Sequence, residues 1–508
     1  VSATNPAATN PAATNPAATN PAAIVGEERL LIDGQLRPAR SGKVFETINP
    51  ATEEVLGVVA DADDVDLDAA IGSARRAFDE TDWSTNLARR VAGLRQLQAA
   101  FLKHADEIRA MTVAETGTPV SLTHSAQLDD PVASLGWVAD LAESYQWETD
   151  LGNAAPLGIL SHRWVRREAT GVVGAITPWN VPHQITLAKL GPALAAGNTV
   201  VLKPAPDTPW CATVLGRLIA EETDIPAGVV NIVTSSDHRI GAQLTVDGRV
   251  DQVSFTGSTA TGKQVMASAA ETLKKVFLEL GGKSAFVILD EADLRGACAV
   301  AAFTVCTHAG QGCAITTRLL VPRQQFDEAV SATAAVMGKL PAGDPTEPGT
   351  ICGPVVNARQ RQRVEGYIRL ATEEGGSIVT GGGRPPGLEK GFFIEPTLIV
   401  GVDNAAQVSS EEIFGPVLVV IPHDGDDDAV RLANASPYGL SGSVWASDRD
   451  RAVGVANRIR TGTIGVNGGL WYSPDVPFGG YKQSGIGREA GIAGFEEYLE
   501  TKSIAEPA

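Results

Sequence analysis

Leu278-Glu279-Leu280-Gly281-Gly282-Lys283-Ser284 and, further on, Gly310-Gln311-Gly312-Cys313 bracket the stretch on which the reading of this chain turns. A carboxylate stands beside a glycine pair, and a cysteine lies in a short segment that large side chains would obstruct. Cysteine is an intrinsically strong nucleophile, and a carboxylate brought close to it can relay protons or activate water. Glu279 and Cys313 are 34 residues apart, so only folding can bring them together. A lone cysteine is more often a buried small hydrophobe, and a lone glutamate a surface charge.

Upstream, three segments have the look of a strand followed by a loop: Gly171 to Asn180, Thr199 to Lys203 and Val229 to Thr234. Helical stretches at about Ile185–Ala196 and Trp210–Glu222 separate them. This alternation implies an α/β fold with a parallel sheet and helices on its faces. Ligands of such sheets bind beyond the carboxyl ends of the strands. Pro178-Trp179-Asn180, Lys203-Pro204-Ala205-Pro206 and Phe255-Thr256-Gly257-Ser258 all fall there. Gly257-Ser258-Thr259-Ala260-Thr261-Gly262-Lys263 resembles a P-loop, but Gln264 replaces the hydroxyl residue that would hold Mg²⁺. A turn into a helix N-terminus still suits a pyrophosphate. No G-x-G-x-x-G occurs.

The flanks set the bounds. T-N-P-A-A occurs four times between Thr4 and Ala23, with prolines that spoil helix and sheet alike, so residues 1–26 are expected to be a low-complexity tail. The repeat has neither the charge nor the apolar run of a secretory signal. Leu30 to Gln35 predicts a strand entering an Asp-Gly turn. Asp64–Phe78, Asn86–Thr116 and Leu135–Trp147 predict amphipathic helices. Ile159 to Arg167 alternates as a strand. The 508 residues suffice for two to three domains, and 44% apolar with 20% charged residues is an ordinary globular composition. A net charge of −19 argues against nucleic acid as a partner. No apolar run reaches a membrane-spanning length. Five cysteines without C-x-x-C pairing suggest neither a zinc site nor a disulfide framework, hence no metal and a reducing, cytoplasmic setting.

Seven segments together resemble the NAD(P)-dependent aldehyde dehydrogenase superfamily. They are Pro178-Trp179-Asn180, Lys203-Pro204, Phe255 to Ser258, Leu278 to Ser284, Gly310 to Cys313, Glu411-Glu412-Ile413-Phe414-Gly415-Pro416, and Pro477 to Gly485. They stand in that family's order and spacing, and the likeness runs from about Glu27 to Lys502. It implies oxidation of an aldehyde to a carboxylic acid. Cys313 would be the nucleophile, Asn180 and the Cys313 N–H the oxyanion donors, and Glu279 the base that activates water against a thioester. For NAD, it implies Lys203 at the adenosine ribose, Gly257 and Ser258 at the pyrophosphate, and Glu412 at the nicotinamide ribose. Trp179, Leu280 and Phe414 would line the cofactor cleft.

The same resemblance implies a Rossmann-like cofactor domain (27–145 and 170–280), an α/β catalytic domain (281–480) and a small β oligomerisation element (146–169 and 481–508), with Phe495, Tyr498, Leu499 and Ile504 suited to an added edge strand. A homodimer or homotetramer is then expected. Trp471, Tyr472 and Phe478, with Leu470, would give an aromatic mouth for medium-chain, aromatic or terpenoid aldehydes, unless they only pack their own loop. No Arg or Lys lies between Thr461 and Gly480, which disfavours an anchored second carboxylate. One departure stands out. Pro206 occupies a place where many NAD-preferring members carry a glutamate, so NADP is less strongly excluded. NAD is still expected, because no arginine stands nearby in sequence. His308 and His183 are rival bases, though histidine often only packs. The alternatives are a semialdehyde or CoA-acylating dehydrogenase, a P-loop hydrolase, and a silent binding protein on the same fold.

Overall fold

Capping signals divide the chain much as its periodicity predicts. The computed structural model describes residues 24–508, so the T-N-P-A-A repeat lies outside the described residues. Asp63 closes a capping box on the helix Asp64–Glu80. The helix Pro182–Ala196 starts with proline in its first turn and ends at Gly197 in the left-handed region. Two expected helices differ from observation. Asn86–Thr116 is interrupted at His104, giving Leu87–Lys103 and Ala105–Thr116. Neither glycine nor proline marks that break; packing alone sets it. The helix expected from Leu135 begins earlier, at Asp129, because Pro131 is tolerated in a first helical turn. It ends at Ser144, and Trp147 folds back to donate its indole N–H to the Ala142 carbonyl.

An eight-stranded sheet runs in the order Gln35–Arg37, Leu30–Ile32, Val230–Ile232, Thr199–Pro204, Val172–Thr177, Gln252–Thr256, Lys275–Glu279 and Gly485–Ile486. Its five central strands are parallel and its edges antiparallel. From Val172–Thr177 the chain winds outward to one side through the next two strands. It then returns to Gln252–Thr256 on the other side. The strand order therefore reverses between those two neighbours, and a crevice opens at their carboxyl ends. A second, seven-stranded sheet uses strands between Ser284 and Val466.

The third sheet has three strands: Leu499–Pro507 pairs antiparallel with Ser161–Ala169 over nine positions, and Glu148–Ala154 pairs on the other side. The span 481–508 is not one unit. Gly485–Ile486 instead forms the edge of the first sheet beside Leu278 and Glu279. Gly485 has φ +134°, and a Cβ there would lie 1.9 Å from the Leu278 carbonyl oxygen, so only glycine permits this close pairing. Among the described residues, no helix is long and apolar enough to cross a membrane.

Candidate active site

The reversal of strand order assembles the sequence motifs. Trp179 and Asn180 follow Val172–Thr177. Gly257 and Ser258 follow Gln252–Thr256, and Glu279 ends the adjoining strand, in register with Thr256. Cys313 arrives from the other sheet, on the loop before Thr316–Pro322. The loop is held by a tight approach: His308, Ala309 and Gly310 all have positive φ, and a Cβ on Gly310 would lie 2.1 Å from the Gly415 carbonyl oxygen. This contact binds the cysteine loop to the Glu412–Phe414 segment.

One cavity of about 260 Å³ is lined by Trp179, Asn180, Gly257, Ser258, Glu279, Leu280, Cys313, Glu412 and Phe414. Trp179 and Phe414 meet edge to face, with ring centroids 5.4 Å apart. A second cavity of about 540 Å³ shares Trp179, Gly257 and Ser258 and extends to Lys203 and Pro206. Together they make a trough along the carboxyl ends of the strands. Ser258 caps the helix Thr259–Ala269, its Oγ accepting from the Thr261 N–H at 3.2 Å. Lys203 Nζ donates to the Ser235 carbonyl at 3.2 Å and retains two further donors.

At the inner end, thiol and carboxyl perturb each other. Burial pushes the Cys313 thiol well above its ordinary range, and the neighbouring Glu279 adds to this. Burial likewise raises the Glu279 carboxyl; Glu489 raises it further, while Lys189 and the Cys313 thiol act against the rise. Burial thus favours the protonated form of both groups, and Glu279 Oε1 has no hydrogen-bond partner. Each acts on the other's proton affinity, which couples their ionisations. Glu412, raised to about 7 by burial, accepts from the Gly282 N–H at 2.9 Å.

Asn180 is the most constrained member. Its Nδ2 donates to the Gln311 carbonyl at 3.0 Å, and its own carbonyl accepts from Gln127 Nε2 at 3.0 Å and His308 Nε2 at 2.8 Å. His308 is thus spent on the backbone and, lowered to about 4 by burial, stays neutral. His183, also lowered to about 4 by burial, bonds Thr112 Oγ1 at 2.9 Å, away from the trough.

The three aromatics expected at a substrate mouth pack near one another. Trp471 stacks on Phe478 with centroids 5.3 Å apart and planes at 10°. Tyr472 lines a separate cavity of about 90 Å³ with Trp137 and Leu187. None of the three is on the wall beside Cys313. The expectation about arginine also needs correcting: the helix Ala358–Glu373 brings Arg359 onto the wall that carries Lys203 and Pro206, with His238 opposite on another helix.

Four residues escaped the sequence reading. Gln360 and Arg363 line the inner cavity and donate to the Phe414 carbonyl at 2.7 Å and the Glu412 carbonyl at 2.6 Å, fixing that loop. Lys189 and Glu489, 300 residues apart, pair at 2.6 Å behind Glu279, with the ammonium 4.6 Å from the Phe277 ring centroid. A signal for Lys189 existed: it is the one charge in the otherwise apolar stretch Ile185–Ala196.

Comparison with known proteins places these features. A family model described as the aldehyde dehydrogenase family matches residues 37–504. The 3-succinoylsemialdehyde-pyridine dehydrogenase of a Pseudomonas species is 41% identical over 476 residues, covering 93% of this chain and 97% of that protein. The crystal structure of Staphylococcus aureus betaine aldehyde dehydrogenase with NAD+ superposes with a TM-score of 0.92 at 34% identity, covering 95% of each chain. A Mycobacterium tuberculosis aldehyde dehydrogenase complexed with NAD+ gives 0.90 at 41% identity, covering 94% of this chain and 97% of that one. Agreement in sequence and in fold, each over nearly the whole described chain, makes this protein a member of the aldehyde dehydrogenase family.

Proposed function

We propose that the chain oxidises an aldehyde to its carboxylic acid through a covalent adduct on Cys313. The observation that carries this is the Cys313–Glu279 pair at the inner end of a trough made by two cavities that share Trp179, Gly257 and Ser258. The trough's residues fit NAD, which both solved relatives hold. Lys203 has spare donors for ribose hydroxyls, Ser258 stands at a helix N-terminus suited to the pyrophosphate, and the Glu412 carboxylate suits a ribose diol. Bound there, NAD supplies the hydride acceptor.

The chain's own residues do the rest. Cys313 gives up its proton to water, and its Sγ bonds to the carbonyl carbon. The oxyanion of the thiohemiacetal is held by the Asn180 amide and the Cys313 N–H. As hydride leaves that carbon, the C=O bond reforms and a thioester remains on Cys313. Glu279, its proton released, takes one from water as the water attacks the thioester. The acid departs, and the Cys313 thiolate regains a proton. Lys189 and Glu489 lie behind Glu279 and set when it can accept.

A pH profile checks that last role. The hydrolytic step needs carboxylate, so activity rises with pH through the Glu279 ionisation. Lys189→Met removes a charge that opposes the raised pKa, and the acid limb should move to higher pH. Glu489→Gln should move it the other way. An unchanged limb in both variants would detach the pair from Glu279.

For the substrate we favour an apolar or aromatic aldehyde. The cavity with Tyr472 lies along the same helix, Pro182–Ala196, that presents Ile185 to the Cys313 cavity. Its wall carries Trp137, Val138, Leu187 and Pro474, one carboxylate at Asp130 and no basic side chain. A second carboxylate on the substrate would find no partner there. NADP should be used beside NAD, because Pro206 removes one acid from that wall and Arg359 and His238 stand there with the remaining Asp207. The test is cofactor reduction over a panel of aldehydes with NAD and NADP; a strong preference for semialdehyde acids overturns the substrate assignment.

We propose further that the chain works as a cytoplasmic homodimer or homotetramer. The three-stranded sheet offers free edges at Leu499–Pro507 and Glu148–Ala154 for pairing between copies. A sedimentation mass of one 52.9 kDa chain would exclude it.

A further inference from the structure

Behind the Gly281-Gly282 turn lies a small cavity that the proposed reaction does not use. Its volume is about 10 Å³, room for a single water-sized particle. Lys283, Arg318 and Arg460 contribute to its lining, and no acidic side chain does. In a protein of net charge −19, this is a local excess of positive charge.

The charges there are not neutralised by their contacts. Lys283 is 1% exposed, and its Nζ has no hydrogen-bond partner. Arg318 is buried as well. It donates to the carbonyls of Lys283, Leu432 and Ala433 and to Asn404 Oδ1, at 2.9 to 3.0 Å, all uncharged acceptors. Lys482, close enough to feel Arg318 and Arg460, donates only to the carbonyls of Asn434 and Ser436. The Thr461 hydroxyl on the cavity wall is buried without a partner. An ammonium and a hydroxyl, both unpartnered at one small cavity, are donors awaiting an acceptor, and burying uncompensated charge is costly.

We propose that this cavity binds one small monovalent anion of halide size, held by the Lys283 ammonium and the Thr461 hydroxyl and reached past the exposed Arg460. Burial and the adjacent Arg318 lower the lysine to about 7, so at neutral pH the anion would bind together with a proton. The groups facing Lys283 are Arg318 on the cavity side and Glu411, Glu412 and Arg363 on the other; Arg460 and Lys482 stand further along the wall. Glu411 is engaged by Tyr367 and Gln407, and Glu412 by the Gly282 N–H, so neither carboxylate closes on the lysine.

The test uses the full chain with sodium bromide as probe and sodium gluconate at matched ionic strength as control. Bromide should raise the melting temperature saturably, and crystals soaked in it should show an anomalous-scattering peak between Lys283 and Thr461. Affinity should fall about tenfold per pH unit above 7, as the lysine loses its proton. Lys283→Met should abolish the response. Since that variant can fail to fold, Thr461→Val is the companion, expected to weaken bromide binding about tenfold. Equal melting in bromide and gluconate, or no peak in the cavity, overturns the proposal and leaves water as the occupant. So does a wild-type bromide response in both variants.

Discussion

Cys313→Ala is expected to lower kcat/KM for aldehyde oxidation by about 10⁴-fold or more, while NAD affinity stays within about twofold of wild type. The reason is the division of the trough. Lys203, Pro206 and Arg359 lie on the outer wall, and Cys313 only on the inner one. Removing Sγ takes away the atom that would bond to the carbonyl carbon. No other thiol can replace it, because Cys211, Cys298, Cys306 and Cys352 are buried elsewhere and none lines either cavity. Alanine leaves only a small void beside Glu279, so the fold should survive. Cofactor titration and turnover on the same preparation give the result. Turnover that persists with bound NAD would remove covalent catalysis from the site.

Glu279→Gln separates the two halves of the reaction. Glutamine keeps the shape of the side chain but cannot accept a proton from water. With an aldehyde and NAD, a burst of reduced cofactor of about one equivalent per active site should appear. Steady-state turnover should then drop by about 10²- to 10⁴-fold, the range for a lost general base. Burial also shapes this variant: the carboxyl is enclosed and its charged form is disfavoured there, so a neutral isostere should not destabilise the chain. Quenching with acid and weighing the intact protein would reveal the acylated Cys313. Wild-type turnover would show that another group activates water. Loss of the burst would place the essential proton transfer at the thiol instead.

The fold was legible where local pattern and global arrangement agree. Strand-loop-helix alternation from Gly171 to Thr234 required a parallel sheet, and the observed strands fall within those segments. The helix Trp210–Glu222 matched to the residue because apolar periodicity and flanking proline point the same way. The break at His104 was not legible, since no residue there forbids helix; at the break Lys103 and His104 both meet Glu222, 118 or more residues away in sequence. The aromatics at 471, 472 and 478 were read as one mouth; Trp471 stacks on Phe478 and meets Tyr472 edge to face, and Tyr472 lines the cavity beside Trp137. Composition gives a loop its apolar character but not the direction in which each ring turns.

From sequence alone came the chemistry of the parts: a thiol after a glycine, a carboxylate near a glycine pair, an amide after a strand, and the family to which their order belongs. Those are local facts, written in residue type and spacing. Tertiary structure decided which parts meet. The reversal of strand order between Val172–Thr177 and Gln252–Thr256 creates the crevice, and Cys313 reaches it only because a second sheet carries its loop across. Lys189 finds Glu489 across 300 residues, and Arg359 arrives beside Pro206 from another helix. The physical reason is that periodicity reports which face of an element is buried, while the field around a buried charge is made by neighbours distant in sequence.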